Sequence, residues 1–272
     1  MVLRRPILLS AVLAVAMVVG VGAWAWAAGG DDTGAIAEPV SQEEPGAEEP
    51  VADPATDDGD ENGDEGQTAV PTVEHDCGET GKYQREVEEL LAELDTYGEV
   101  FVDGEQSKED CKAIRKFQKR MGIQPAEGYA GELTRDVATR IVESDFASCD
   151  PTGSIVVCID LTNQTLWVTD VGEIVYGPTV VRTGMAGGYQ TQTGKLSIAN
   201  KAEMEWSKPY KVWLPYWQHF YMGQGLHETT TYIHDSFGSH GCVNLLTEDA
   251  QALYQMIGVG DQLHIFGNRP GT

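Results

Sequence analysis

Basic residues are scarce in this chain: 18 Lys and Arg stand against 43 Asp and Glu, for a net charge of −25. That shortage excludes a nucleic-acid footprint, which needs clustered positive charge. It is extreme from Asp31 to Asp76, where 16 acids occur with no Lys or Arg. Charge of either sign is missing from Pro6 to Ala28, directly after Arg4 and Arg5. A basic start, an apolar core and the A-x-A-like Ala25-Trp26-Ala27 predict an export signal over residues 1–30. The apolar run is also long enough to span a bilayer, and Trp24 and Trp26 suit its outer interface, so a membrane anchor through residues 6–28 is the alternative. No cysteine follows closely, which leaves no lipid attachment point. Either way the remainder is expected to be extracytoplasmic.

Residues 31–75 carry too little apolar surface to offset chain entropy, and like charges extend them. They read as a disordered acidic linker, a spacer ahead of compact domains. Residues 76–148 then read as a small helical domain. Val87, Leu90, Leu91 and Leu94 recur on one helical face. A turn follows at Val102-Asp103-Gly104. Ser107, with Glu109 and Asp110 behind it, opens a second helix that buries Cys111, Ile114, Phe117 and Met121 and stops at Gly122. A third helix carries Leu133, Val137 and Ile141. From Ser154 the rhythm changes to strands: Ile155–Ile159, Thr165–Val168, Ile174–Tyr176, Thr179–Thr183, Lys195–Ala199 and Gln262–Phe266. Residues 203–226 are aromatic and read as irregular. Thr247 is expected to cap a late helix whose apolar face is Ala250, Leu253, Tyr254 and Ile257. Residues 149–272 are thus a mainly β domain.

There are five cysteines. In an oxidising compartment four pair and one is left over. Cys77–Cys111 with Cys149–Cys158 is the preferred pairing; Cys77–Cys149 with Cys111–Cys158 stays open. Cys242 is the natural remainder. It lies in Ser239-His240-Gly241-Cys242-Val243-Asn244, with His227 and His234 upstream. A cysteine nucleophile needs an imidazole or positive partner to lower its pKa, and the oxyanion it creates needs backbone N–H groups, which a neighbouring glycine lets approach. Papain-like sites place the histidine after the cysteine. Here the only later one is His264, in the strand Leu263–Phe266, where a structural role fits better. His227, His234, His240 and Cys242 are permissible zinc ligands. The His-x-Cys spacing is not the usual ligand pair, however, and no carboxylate stands as a general base. No metal or other cofactor is implied.

A histidine 15 residues before the cysteine of a Ser-His-Gly-Cys-Val-Asn run resembles the signature of the L,D-transpeptidases (YkuD-like catalytic domain). The upstream Gly188–Gly194 segment is similar to that family's Thr-Pro-Thr-Gly element, with Gln192 in place of Pro. Glu228 follows His227 where the family usually has Gly or Ser. In the helical segment, Val102-Asp103-Gly104, Phe117-Gln118, Met121-Gly122-Ile123, Gly128, Gly131 and Thr134 resemble a peptidoglycan-binding helical domain. The fold class implied is multidomain: a mainly-β YkuD-like catalytic domain over 149–272, preceded by a three-helix peptidoglycan-binding-like domain and the acidic linker.

The resemblance implies an enzyme that cleaves the bond between the third, diamino acid, residue of a peptidoglycan tetrapeptide stem and its terminal D-Ala. The acyl group passes through a Cys242 thioester to the amine of another stem. Cys242 matches the nucleophile, His227 the proton acceptor and His240 a supporting imidazole, while His234 is a fallback base. Ser239, Gly241 and Asn244 match the oxyanion turn. Thr191, Thr193 and Tyr221 are the substrate-binding candidates, Tyr221 as a wall of the pocket within an aromatic lid. Stem peptides and glycan are the implied partners, and carbapenem-type β-lactams the implied inhibitors. Alternatives are an L,D-carboxypeptidase, with water as acceptor, and a non-catalytic wall-binding protein.

Overall fold

The computed structural model describes residues 77–272. The expectations for the leader, the anchor and the acidic linker lie outside the described residues. Among the described residues no helix is long and apolar enough to cross a membrane.

Three helices come first: α1 (Gln84–Leu94), α2 (Lys108–Arg120) and α3 (Glu132–Val142). Their apolar stripes meet in one cluster built from Val87, Leu91, Ile114, Phe117, Val137 and Ile141. The turn at 102–104 is held by the buried carboxylate of Glu88, which accepts the Asp103 and Gly104 N–H groups at 3.1 and 2.8 Å. Ser107 and Asp110 form a reciprocal capping box at the start of α2, satisfying two N–H groups that a helix start leaves open. The Cys77–Cys111 and Cys149–Cys158 disulfides are formed, and Cys242 is free. A three-helix unit this small gains from such a staple.

The remainder is two sheets and one helix. Strands β1 (Ile155–Asp160), β2 (Thr165–Asp170), β3 (Glu173–Val180), β4 (Gly194–Ser197) and β9 (Gln262–Phe266) form a sheet in the order β3-β2-β1-β9-β4. Strands β5 (Asn200–Ser207), β6 (Val212–Tyr221), β7 (Gln224–Glu228) and β8 (Val243–Leu245) form a second sheet in chain order. Alternation decides the core. Val157, Ile159, Leu166 and Val168 of the first sheet share one cluster with Leu226, Val243 and Leu245 of the second and with Ala250 and Leu253 of α4 (Thr247–Met256). The intervening Val156, Cys158 and Trp167 turn to the opposite face and pack around the second disulfide.

Three sequence expectations need correction. Residues 203–226 are ordered strands, not irregular chain: β5 and β6 make a long hairpin with Met204 opposite Pro215. Pro215 is tolerated because β7 pairs only with Gln218–Tyr221, so no ladder on that side needs its missing N–H. The runs 174–176 and 179–183 are largely one strand, β3, irregular in its pairing with β2. Thr247 does not cap α4; Leu246 holds the cap position, and the Thr247 hydroxyl binds the Glu228 carboxylate at 2.8 Å.

The helices are welded to the sheets. Arg120, at the end of α2, reaches Asp249 in the first turn of α4 at 2.7 Å, and Asp249 is fully buried. Tyr176 and Thr179 donate their hydroxyls to the same carboxylate at 2.5 and 2.6 Å. Arg140 of α3 donates to the Asn163 and Gln164 carbonyls at 2.7 and 2.9 Å. Removing one partner of a buried pair such as Arg120–Asp249 costs about 3–5 kcal/mol, because the remaining charge stays in low dielectric.

Candidate active site

Register in the second sheet sets the site. Strands β7 and β8 run parallel, with Leu226 opposite Val243 and His227 opposite Asn244. Leu226 and Val243 face the core, so His227 and Asn244 take the other face, and Cys242, two residues before Asn244, joins them. All three line a cavity of ≈ 330 Å³, together with Ser239, His240 and Arg182. The β5–β6 hairpin supplies the facing side through Ser207, Tyr210, Val212 and Leu214.

His227 is only 5% exposed. Its Nδ1 lies 2.7 Å from the Glu228 carbonyl. A carbonyl only accepts, so Nδ1 carries the proton and Nε2 keeps its lone pair. The Glu228 side chain takes no part in this, because it is bound to Thr247. Burial pushes His227 down to about 4, the Glu228 carbonyl works against this, and the Arg182 charge adds to the lowering. The imidazole is therefore neutral at physiological pH, as a proton acceptor must be.

Cys242 departs from expectation. Burial pushes its thiol above the ordinary value, opposed by a hydrogen bond from the Gly225 backbone. The resting pair is thus thiol and neutral imidazole, not thiolate and imidazolium. The cause is shared: burial penalises both charged forms.

The turn before the nucleophile is tightly braced. Ser239 Oγ donates to the Cys242 carbonyl at 2.5 Å and accepts the Gly241 N–H at 3.1 Å. Thr191 Oγ1 donates to the Gly241 carbonyl and accepts the Gly184 N–H, both at 2.9 Å. Gly241 has φ 111°, a backbone conformation that favours glycine, and a Cβ there would come within 2.6 Å of Gln224 Nε2 and displace that side chain. Its own N–H is engaged by Ser239, whereas the N–H of Cys242 has no acceptor among the described residues.

The other candidates are distributed as follows. His240 is exposed and held between Tyr210, stacked at 4.4 Å, and Tyr189, edge-on at 4.7 Å. Tyr221 packs against the core cluster and is not among the cavity residues; Tyr210, from the hairpin tip, takes the wall position instead. Thr191 and Thr193 line a second cavity, with Gln190, Gln192 and Arg269. Gln192 donates its backbone N–H to Gln224 Oε1 at 2.8 Å, a bond that proline cannot make. His234 is turned away from Cys242, its Nε2 bound to the Met121 carbonyl at 2.7 Å. His264 Nδ1 accepts the Asp150 N–H at 3.0 Å, a structural contact. The four residues weighed as zinc ligands therefore do not converge, and no group of His, Cys, Asp and Glu suited to a metal occurs among the described residues.

Arg182 was missed from sequence. It is 7% exposed and donates to Thr231 Oγ1 at 2.7 Å, to the Tyr232 carbonyl at 2.9 Å and to Thr229 Oγ1 at 3.3 Å, with Asp235 at 3.3 Å. An arginine inside the apolar run Thr179–Thr183 was the available signal.

Residues 154–265 match the family model of the L,D-transpeptidase catalytic domain, YkuD. The crystal structure of an L,D-transpeptidase from Stackebrandtia nassauensis is 61% identical over 75% of this chain and 100% of that one, with a TM-score of 0.71. An L,D-transpeptidase from Xylanimonas cellulosilytica is 21% identical, covering 70% of this chain and 95% of that one, at a TM-score of 0.40. One from Mycobacterium smegmatis is 22% identical, covering 42% and 59%, at 0.37. No curated protein matches. The 61% identity along the whole of the Stackebrandtia chain settles the family: this protein belongs to the L,D-transpeptidases.

Proposed function

We propose that the protein forms peptidoglycan cross-links through an acyl-enzyme on Cys242. The observation that carries this is a free thiol and a neutral, tautomer-fixed imidazole on one face of one cavity. The donor is a tetrapeptide stem. Sγ attacks the carbonyl of its third, diamino acid, residue while the thiol proton passes to His227 Nε2. The Cys242 N–H receives the developing oxyanion. As the tetrahedral adduct collapses, the C–N bond to the terminal D-Ala breaks and His227 returns the proton to the leaving amine. An acceptor stem's side-chain amine then attacks the thioester, giving a proton to His227 and releasing the thiol. Ser239, Thr191 and Gly241 hold the turn, and Tyr189 and Tyr210 hold His240 at the rim. Carbapenem-type β-lactams, being strained acyl donors, acylate the same sulfur. The enzyme works outside the cytoplasm, where peptidoglycan lies.

Intact-mass analysis tests this. Protein incubated with a tetrapeptide donor and an amine acceptor is expected to yield cross-linked product and free D-Ala, and with a carbapenem a single adduct on Cys242. Absence of both from the wild type, or product formation by Cys242→Ala, overturns the proposal. D-Ala release without cross-linking assigns the carboxypeptidase reaction instead.

A further inference from the structure

The segment 229–238, between β7 and Ser239, has two faces. Thr230, Thr231, Asp235 and Gly238 line the Cys242 cavity. Tyr232, Ile233 and His234, set between them, all engage the helical unit. Ile233 is 4% exposed and belongs to the apolar cluster of the three helices. The Tyr232 hydroxyl accepts the Gln124 N–H at 3.2 Å. His234 Nε2 donates to the carbonyl of Met121, one of the terminal carbonyls that a helix cannot satisfy internally. From the other side, Arg182 gathers Thr229, Thr231, the Tyr232 carbonyl and Asp235 into the curve that faces the thiol.

We infer that this segment is a positioning strap, latched by His234 to the end of α2, and that the three-helix unit thereby builds part of the active-site wall. A single residue of strap separates groups in the cavity from groups in the helical core, so a shift of α2 by an ångström moves Thr231 and Asp235 with it. Gly122 shows how close the fit is. It has φ 68°, and a Cβ there would stand 2.5 Å from Leu246 Cδ2 and 3.4 Å from Ile233 Cγ2. His234 is a positioning residue in this scheme; it does not touch the reacting atoms. The inference concerns the wall for the cross-linking reaction proposed above and rests on that reading for its kinetic consequence only.

The test uses the full chain with His234→Ala, His234→Gln and, from the helix side, Gly122→Ala. Hydrogen exchange of 229–238, Cys242 alkylation by iodoacetamide, and donor KM and kcat are compared. Opening the wall is expected to speed strap exchange and raise donor KM about tenfold, the equivalent of 1.4 kcal/mol. Alkylation, which needs no wall, stays within about twofold on the same free-energy scale. His234→Gln, whose side-chain amide can donate to Met121, recovers most of the loss. Unchanged strap exchange in His234→Ala and Gly122→Ala overturns the latch. Faster exchange with unchanged KM and kcat overturns the wall. A wild type with no turnover of donor refutes the proposed reaction, and the exchange comparison still decides the latch.

Discussion

His227, in β7, and His234, on the crossover that leaves it for β8, share almost every local property. Each is largely withdrawn from water, each binds a backbone carbonyl at 2.7 Å, and burial pushes each down to about 4. They differ in what each imidazole faces. His227 uses Nδ1 for its carbonyl and lines the cavity of Cys242, while His234 uses Nε2 to close the end of α2. A depressed histidine pKa therefore marks burial, and only the surroundings of the remaining nitrogen mark chemistry. The comparison also separates the protein's two halves: one imidazole serves the sheets, the other ties them to the helices.

Substituting each histidine should split the pair most widely in acylation. His227→Ala removes the proton acceptor, and the rate of Cys242 acylation by a carbapenem is expected to fall about 10²–10⁴-fold, the usual worth of a positioned base. His234→Gln keeps a donor for Met121 and should stay within a few-fold of wild type. Stopped-flow or intact-mass time courses measure both. Equal losses in the two variants would break the comparison and make His234 part of the chemistry.

Stability against pH should show what the two histidines share. In the unfolded chain each imidazole binds a proton near its ordinary 6.5, whereas the folded chain resists it until about 4. The unfolded state therefore holds more protons in this window. Stability is intact above pH 6.5 and declines as pH falls towards 4, by roughly 3 kcal/mol per histidine at most. Calorimetric Tm values from pH 7 to 4 should fall more gently in His227→Gln and in His234→Gln than in wild type. Parallel slopes in all three proteins would mean that neither imidazole is held neutral by the fold.

Much of this was legible in the residues. Helix faces, the capped start of α2, the odd cysteine and the nucleophile turn follow from period, chemistry and count, and each is a local property. What was not legible depends on long-range register. The β5–β6 hairpin was hidden because its aromatics occupy both faces, leaving no alternation, and because Pro215 reads as a break until one sees that its open side needs no ladder. Tyr210 lines the cavity rather than Tyr221 because Tyr221 lies where β6 meets β7 and turns to the core, whereas Tyr210 sits at the free tip. Arg182 reads as a strand residue until the crossover folds back over it. Cys242's raised pKa was invisible for the same reason: its cause is burial, which no spacing reports.

The smallest expected effect concerns how His227 is aimed. Glu228 stands where relatives of this motif usually carry Gly or Ser, and its carboxylate lies one residue from the base. The structure gives that side chain to Thr247 and gives the backbone carbonyl, which every residue possesses, to Nδ1. Glu228→Ser should therefore leave the tautomer, the acylation rate and its pH profile within about twofold. Losing an exposed hydrogen bond to Thr247 should change stability by only about 0.5 kcal/mol. The acid limb of the acylation profile is the sensitive measurement, because a carboxylate that oriented or polarised the imidazole would raise its pKa, and removing it would shift that limb downward. A tenfold loss of rate with such a shift would show that the Glu228 side chain, rather than the backbone, makes His227 different from His234.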